Sequence, residues 1–438
     1  MSSMQQHPMK VVLKNPNLRL LWIGEGFSVL GSQFYMIALP WLVLQLTGDP
    51  FQMGSVLALA GIPRALFMLI GGALTDRFSP KTLMICSNLV RMSVGICLTV
   101  LVLNGWVSII FLYLLSLTFG LADAFLYPAQ SAILPRIVES EHLLAGNSIV
   151  QGTAQLSIAA GPALAGTIIA IFSSSPASGV DTKEAMDLFG ISIAFSVNAL
   201  SFFLSILAFA FIRYKTDKVD KKDEPTASVT SLLKEGMAYV ISDKTLVYLL
   251  LVAAVSHFLV EGPLFIGIPV LAHTKFTEGA AAFGIIMSGL GAGMLIGIIG
   301  AGTLPKLKPE RMGQTLMILL SLSGFGLMTV GFMSNTYMTA FVVMLMGIAQ
   351  GYVIVQFSTW MQIRTPQHLL GRVLSMMMFA SVGLVPISQA LCGALIKLSI
   401  PGLFIGAGII LTIINMIVTF RPEIKNMGLV VKNSDKKN

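Results

Sequence analysis

The sequence predicts an all-α membrane protein built from two pseudo-symmetric bundles of six helices. Three observations support this prediction. The 438 residues are 55% apolar and only 11% charged, with a mean hydropathy of +0.83. That is too apolar for a water-soluble chain of this length. Twelve apolar runs are long enough to cross a bilayer as helices, and the two halves of the chain share a weak internal repeat.

Each predicted membrane span contains about 20 or more mostly apolar residues, which is the length needed to cross the hydrocarbon core. In chain order the spans are 20–46, 52–74, 82–103, 106–133, 143–172, 188–212, 246–271, 280–303, 312–333, 336–363, 371–397 and 400–421. The predicted domains are an N-terminal tail (1–19), an N-terminal six-helix bundle (20–212), a linker (213–245), a C-terminal six-helix bundle (246–421) and a C-terminal tail (422–438).

The basic residues predict the orientation of these spans. If the N-terminal tail is cytoplasmic, only Lys183, Lys275 and Lys397 lie outside, and Arg64 and Arg91 lie within spans. Every other Lys and Arg then falls on the cytoplasmic side, as the positive-inside rule requires. Both termini are therefore expected in the cytoplasm, and the net charge of +8 reflects topology rather than nucleic-acid binding. The polar, basic N-terminal tail also predicts that the first span is a retained anchor.

The residue types predict neither an enzyme nor a cofactor-binding or metal-binding protein. Cys86, Cys97 and Cys392 all fall inside apolar runs, which argues against a disulfide framework or a thiolate cluster. The sequence contains no nucleophile–base constellation, phosphate-binding loop or three-ligand metal pattern. The segments outside the spans are also too short to hold an active site.

The linker at 213–245 divides the spans into two sets of six. Its first part, ending at Pro225, is rich in both charges and is expected to be a flexible tether. Residues 231–241 have the apolar spacing of a helix. We expect this amphipathic helix to lie along the membrane surface.

The two halves of the chain repeat. A shift of 230 residues places Gly54 on Gly284, Gly61 on Gly291 and Gly72 on Gly302, and a shift of 227 places Gly120 on Gly347. Duplicated transporter halves leave such symmetry, with the substrate site at their interface near the bilayer midplane. The same shifts place Asp123 on Gln350 and Arg64 on Met294. Ionic chemistry is therefore expected in the N-terminal half.

Six ionisable residues lie inside the predicted spans and away from their ends: Glu25, Arg64, Arg91, Asp123, His257 and Glu261. A lone charge at the bilayer centre costs about 2.5–3.5 kcal/mol on insertion scales, so such residues usually face a cavity or a partner. Arg64, Arg91 and Asp123 fall at similar depth, which predicts at least one Arg–Asp pair. Asp123 is the leading candidate for carrying a proton, and its alternative role is a permanent ion pair.

The remaining ionisable residues have alternative roles. Glu25 and Glu261 are further proton-coupling candidates, and Arg64 and Arg91 are candidate counterions. Arg64 has the alternative of binding an anionic group of a substrate. His257 and Glu261 lie four residues apart on one helix face. They are expected to relay protons or to bind substrate, with a mutually satisfied pair as the alternative, and no third ligand suggests a metal.

A substrate cavity is expected to be lined by aromatic and polar residues of the spans. The candidates are Tyr35, Tyr127, Gln130, His257, Gln350, Tyr352 and Gln356. The chain also contains 25 Met residues, whose flexible side chains adapt to irregular apolar ligands. These features favour a bulky, amphipathic substrate.

A short polar hairpin joins the second and third spans. It reads Gly72-Ala-Leu-Thr-Asp76-Arg77-Phe-Ser-Pro-Lys81 and resembles the G-x-x-x-D-R-x-x-x-K/R signature loop of the major facilitator superfamily. The resemblance implies that Gly72, Asp76, Arg77 and Lys81 form a cytoplasmic gate that latches the two halves in the outward-open state. Ser79-Pro80 departs from the usual pattern, and a solvated turn is the alternative.

Two further spans are rich in small residues, which let helix backbones approach closely. The fifth span contains Gly152, Gly161, Pro162 and Gly166 in a pattern that resembles the antiporter motif of the superfamily, which is associated with exporters. The eighth span has glycine at every fourth position: Gly289, Gly293 and Gly297. The resemblance implies that these spans meet across the two halves as sliding surfaces, and tight packing without directional meaning is the alternative.

Other segments resemble one branch of the superfamily, the third drug:proton antiporter group, with macrolide efflux proteins and enterobactin exporters. They are Asn15-Pro-Asn-Leu-Arg-Leu-Leu-Trp22, Pro128-Ala-Gln-Ser-Ala-Ile-Leu-Pro135 and the linker run Leu-Leu-Lys-Glu-Gly236. The resemblance implies a monomeric bacterial inner-membrane transporter. It would exchange protons for a bulky drug or secondary metabolite such as a macrolide by alternating access. A siderophore or other metabolite exporter, or an uncoupled lipid flippase or facilitator, is the alternative.

Overall fold

The computed structural model describes residues 13–75, 79–139, 142–173, 183–213, 229–305 and 307–429. Within these ranges every regular element is a helix and no strand occurs. The predicted all-α class is therefore confirmed.

The first half contains six long helices: α1 (Pro16–Thr47), α2 (Pro50–Thr75), α3 (Pro80–Leu103), α4 (Ile109–Ile137), α5 (Leu143–Ser173) and α6 (Lys183–Ala210). The second half contains α7 (Val229–Ser242), α8 (Lys244–Gly262), a π-helical turn (Pro263–Gly267), α9 (Ile268–Thr274), α10 (Ala280–Thr303), a 3₁₀ turn (Pro309–Arg311), α11 (Met312–Val330), α12 (Thr336–Arg364), α13 (Gln367–Val382), α14 (Val385–Leu395), α15 (Ile400–Thr419) and α16 (Pro422–Lys425).

Eleven helical segments in the described ranges are long and apolar enough to cross a membrane. The predicted span at 52–74 corresponds to α2, which is not among the eleven. The side chains of α2 from Phe67 onward lie outside the described residues. A total of twelve spans therefore stays a prediction.

The chain packs as two compact units. Unit 1 comprises Met1–Lys218 and Thr277–Ser288, and unit 2 comprises Val219–Phe276 and Gly289–Asn438. In unit 1, α1 packs on α5 and α6, α2 packs on α4, and α3 packs on α4 and α6. In unit 2, α11 packs on α12 and α15, and α8 packs on α13 and α14.

Capping residues in the sequence account for both ends of helix α1. The side chain of Asn15 accepts hydrogen bonds from the backbone N–H groups of Asn17 and Leu18 at 2.9 and 3.3 Å, and Pro16 occupies the first turn. Both are strong helix-start signals. At the other end Gly48 adopts φ 61°, a left-handed conformation that suits glycine and stops the helix.

Two predicted spans are interrupted in the structure. The span at 246–271 is observed as α8, a π-helical turn and α9, and the span at 371–397 is divided between α13 and α14. Pro263, Pro269 and Pro386 lie at these interruptions. A proline has no N–H to donate and crowds the preceding turn, so it disturbs a helix that hydropathy alone presents as continuous.

The internal repeat reappears in the packing of glycines. A Cβ atom on Gly120 of α4 would lie 2.0 Å from the carbonyl oxygen of Ala60 in α2, and one on Gly347 of α12 would lie 2.3 Å from that of Leu290 in α10. The shifts of 227 and 230 residues relate these two contacts. Each unit thus joins an equivalent pair of helices at a glycine.

The fifth and eighth spans meet, since a Cβ atom on Gly284 would lie 2.3 Å from the carbonyl oxygen of Pro162. The prediction that Gly289, Gly293 and Gly297 form the surface that faces the fifth span is wrong. Cβ atoms at these positions would lie 2.7, 2.1 and 2.2 Å from the carbonyl oxygens of Ala340, Met344 and Ile348. These glycines are therefore packed against α12 inside unit 2, and Gly293 and Gly297 are buried there. Their small size serves close packing between neighbouring helices rather than sliding.

Candidate functional site: a buried polar cluster in unit 1

Asp123 lies between two arginines in unit 1. Its Oδ2 atom is 3.3 Å from Nε of Arg64 on α2, and its Oδ1 atom is 3.4 Å from Nη2 of Arg91 on α3. We call these three residues the Arg–Asp cluster. The structure therefore brings together the three residues that the sequence places at similar depth.

The two arginines differ in environment. The side chain of Arg91 is 1% exposed, whereas that of Arg64 is 52% exposed. Nη1 of Arg91 donates to Oδ1 of Asn88 at 3.2 Å and approaches Oγ of Ser28 at 3.4 Å, and Nη2 donates to Oγ of Ser32. Arg91 is thus an enclosed cation, whose charge the surrounding polar groups must compensate. Its Nε atom has no hydrogen-bond partner among the described residues.

Aromatic rings complete the surroundings of Arg91. Its guanidinium carbon lies 4.9 Å from the ring centroid of Phe119 and 4.2 Å from that of Phe202, distances at which a cation is attracted to the ring face. Phe119 is in turn stacked on Tyr35, with ring centroids 3.7 Å apart. The hydroxyl of Tyr35 is buried and has no hydrogen-bond partner in the described ranges.

Glu25 on α1 has a different environment. The residue is 4% exposed, and its Oε2 atom accepts a hydrogen bond of 2.5 Å from Nε2 of Gln130. Its Oε1 atom is buried without a hydrogen-bond partner among the described residues, and no described cation forms an ion pair with it. Leaving an ionised carboxylate in this setting is costly.

The sequence analysis did not identify Asn88 as part of the site. Asn88 connects α3 to two other helices, since its Oδ1 atom accepts from Ser28 at 3.3 Å and its Nδ2 atom donates to Ser205 at 2.9 Å. Asn88 lies three residues before Arg91, on the same helix face. Polar residues at helical spacing inside an otherwise apolar span were the signal that could have found it.

The hairpin between α2 and α3 is only partly described. Gly72 lies in α2, and Asp76 and Arg77 lie outside the described residues. Nζ of Lys81 donates to the carbonyl oxygens of Ala210 and Ile212 at 2.7 and 2.8 Å. Lys81 thus caps the carboxyl end of α6 in its own unit, where a cation is favourable, and the latch role of the hairpin stays a prediction.

The small residues of α5 have separate surroundings. A Cβ atom on Gly152 would meet nothing within 4 Å, one on Gly161 would lie 2.6 Å from Gln33, and one on Gly166 would lie 2.4 Å from the carbonyl oxygen of Ala280. Immediately after Pro162, the backbone N–H of Ala163 donates to Oγ of Ser288 at 2.8 Å. Close approach within unit 1 therefore occurs at Gly161 and Gly166 but not at Gly152.

The candidates of unit 2 form no comparable cluster. Nδ1 of His257 donates to the carbonyl oxygen of Ala253 at 2.9 Å, and no described ion pair joins His257 to Glu261. The half-buried residues Gln350, Tyr352 and Gln356 lie along α12. The side chain of Tyr127 lies outside the described residues. Where the structure describes the chain, no three His, Cys, Asp or Glu residues converge as a metal site would require.

The chain is similar to known transport proteins over most of its length. The family model described as Major Facilitator Superfamily matches residues 21–388. The chain is 24% identical over 415 residues to the multidrug efflux pump Tap of Mycolicibacterium fortuitum, covering 92% of this chain and 95% of that protein. It is 22% identical over 387 residues to the enterobactin exporter EntS of Escherichia coli O1:K1 / APEC, covering 87% and 85%.

Solved structures share the fold. The nucleoside transporter NupG superposes with a TM-score of 0.71 at 12% identity, covering 92% of this chain and 100% of that one. A bacterial homologue of the iron transporter ferroportin in its inward-facing state superposes with a TM-score of 0.69 at 14% identity, covering 94% and 100%. At such low identity, these likenesses describe the fold alone.

Proposed function

Because the chain belongs to the major facilitator superfamily, we propose that it exports a bulky amphipathic molecule from a bacterial cytoplasm in exchange for protons. It crosses the inner membrane twelve times with both termini in the cytoplasm, and it works as a monomer by alternating access. Its likeness to a multidrug efflux pump and to an enterobactin exporter supports the direction of transport.

The observation that carries the proton part of the proposal is the pairing of Glu25 with Gln130. A neutral carboxylic acid tolerates burial beside one amide donor far better than a carboxylate does. Glu25 is therefore the residue that carries the proton. This assignment revises the prediction from sequence, in which Asp123 was the leading candidate, because Asp123 already pairs with Arg64 and Arg91 at 3.3 and 3.4 Å. Glu25 forms no ion pair among the described residues.

Release of the proton then couples to a change of conformation. Ionised Glu25 needs water or a cation at Oε1, so deprotonation favours a state in which this carboxyl group is hydrated. One elementary charge that crosses 100 mV supplies about 2.3 kcal/mol. That energy supports a substrate gradient of roughly fiftyfold before any pH difference is added.

The likeness to the enterobactin exporter favours a second candidate function, the export of a siderophore or related metabolite. Cells that lack the gene and cells that overproduce the protein separate the two candidates. A drug exporter changes susceptibility to macrolides and similar compounds, whereas a siderophore exporter changes the siderophore released into the medium. Adding an uncoupler tests whether either effect depends on the proton gradient.

Proton coupling is tested in everted membrane vesicles with a fluorescent reporter of the pH gradient and a substrate found in that screen. We expect Glu25→Gln to abolish substrate-induced proton movement while exchange of substrate across the membrane persists. Glu139→Gln is the matched control, because Glu139 is an exposed acid just beyond α4. If the Glu25→Gln variant still moves protons normally, the assignment of the proton to Glu25 is refuted. If this variant still shows normal net transport of substrate, an uncoupled flippase or facilitator is favoured.

A further inference from the structure

The Arg–Asp cluster contains more positive than negative charge. Arg64 and Arg91 share the single carboxylate of Asp123. The other acid of this region, Glu25, forms no ion pair with either arginine in the described ranges and is paired with Gln130 instead. Among the described residues, one positive charge of the cluster is therefore left without a counterion of its own.

The excess charge belongs to Arg64 rather than to Arg91. Arg91 is enclosed by Asn88, Ser28, Ser32 and two aromatic rings, so nothing from outside can reach its guanidinium. Arg64 contacts Asp123 through Nε. Its two terminal nitrogens have no hydrogen-bond partner among the described residues, and half of its side chain is exposed.

Arg64 lies in the middle of α2, which the proposed topology places in the membrane, and an exposed guanidinium there needs a polar partner. Contact with lipid hydrocarbon is unfavourable for a charged group at this depth. The planar fork of terminal N–H groups matches the two oxygens of a carboxylate and binds it through two parallel hydrogen bonds. Water can fill this position until a suitable anion replaces it.

We propose that Arg64 binds the carboxylate of an amphipathic organic anion, and that such anions are the substrate class of this transporter. The Nε atom keeps Asp123 as its neighbour while the terminal nitrogens hold the ligand. Asp123 also keeps Arg91, so binding of an anion to Arg64 leaves no charge in the cluster without a partner. This inference names the substrate class of the proposed export function and rests on that function.

The test compares two fluorescent probes that differ in one charge, 1-pyrenebutyrate and the neutral 1-pyrenebutanol. Their binding to the full-length protein is measured in nanodiscs of phosphatidylcholine. We expect the wild-type protein to bind the carboxylate at least about tenfold more tightly than the alcohol, because a charge-assisted bidentate contact contributes about that much. Binding is measured without a proton gradient, so it can succeed even if proton coupling is refuted.

Three variants assign the preference to Arg64. Arg64→Gln should weaken binding of 1-pyrenebutyrate about tenfold and should leave binding of 1-pyrenebutanol within about twofold of the wild-type value. Arg64→Lys should bind 1-pyrenebutyrate with intermediate affinity, since lysine keeps the charge but cannot form two parallel hydrogen bonds. Arg136→Gln is the control, because it removes an exposed arginine in the last turn of α4. Arg64→Lys keeps the charge beside Asp123 and so gives a readout even if Arg64→Gln folds poorly.

Several results would overturn the proposal. Equal binding of both probes by the wild-type protein would exclude a carboxylate preference. If Arg136→Gln loses the preference as fully as Arg64→Gln does, the preference is a general effect of surface charge. The measurement is repeated with phosphatidylglycerol in the nanodiscs. If this lipid abolishes the preference, Arg64 binds anionic lipid headgroups, and the assignment to substrate is wrong.

Discussion

The two units share a helical plan but place their charges differently. In unit 1, the Arg–Asp cluster lies in the middle of α2, α3 and α4. In unit 2, α11 contains no charged residue, and the ion pairs Asp243–Arg364 at 2.7 Å and Glu235–Arg372 at 2.5 Å lie at helix ends and on α7. The repeat has preserved backbone packing and allowed charge to diverge.

One equivalent contact shows this divergence directly. In unit 1, Asn15 caps α1 and its Nδ2 atom donates to the carbonyl oxygen of Ile137 at 2.8 Å. In unit 2, Asp243 caps α8 and its carboxylate pairs with the side chain of Arg364. Shifts of 228 and 227 residues relate these positions. In both units, the residue that caps the start of one helix contacts the end of another helix. The contact is neutral in unit 1 and ionic in unit 2.

The largest difference between the units is expected at the position of Asp123. Asp123→Asn leaves Arg91 buried without a carboxylate, which should cost roughly 3–5 kcal/mol of unfolding free energy. The equivalent change in unit 2, Gln350→Leu, should cost less than about 1 kcal/mol, because Gln350 is neutral and half-buried. Denaturant unfolding in detergent micelles measures both, and equal losses would contradict a special ionic role for unit 1.

The glycine contacts should instead behave alike in both units. Gly120→Ala and Gly347→Ala each force a methyl group against a backbone carbonyl oxygen, and each should cost about 1–3 kcal/mol of unfolding free energy. Gly152→Ala is the matched control, since nothing lies within 4 Å of its Cβ position. It should be neutral or stabilising by up to about 1 kcal/mol. If Gly120→Ala lowers the unfolding free energy and Gly347→Ala does not, the two repeated glycine contacts do not contribute equally to stability.

The smallest effects are expected at the two helix starts. Asn15→Ala should cost about 1 kcal/mol through loss of the cap, with little dependence on salt. Asp243→Asn keeps a capping side chain but removes the charge, so it should cost roughly 0.5–1 kcal/mol at low salt and less at high salt. Unfolding measured at two salt concentrations separates the two contacts. A salt-independent loss for Asp243→Asn would show that its pairing with Arg364 contributes nothing.

The lengths of the apolar runs located most of the helices from sequence. The predicted span 280–303 coincides with α10, and 143–172 ends one residue before α5 does. The start of α4 was misplaced by a few residues, because Trp106 and Val107 extend the apolar run beyond the cap at Ser108. The interruption of the span at 246–271 was missed for a related reason. A hydropathy window averages over the prolines that disturb hydrogen bonding.

The sequence by itself determined the all-helical membrane class, the duplicated halves and the retention of charge in the first half. These features depend on composition, apolar run length and residue spacing, which are properties of the linear chain. Only the tertiary structure decided which arginine is enclosed, which acid forms no ion pair among the described residues and which glycine faces meet a neighbouring backbone. Those outcomes depend on how helices rotate and pack against each other, and a rotation of one helix exchanges a buried partner for an exposed one without changing the sequence.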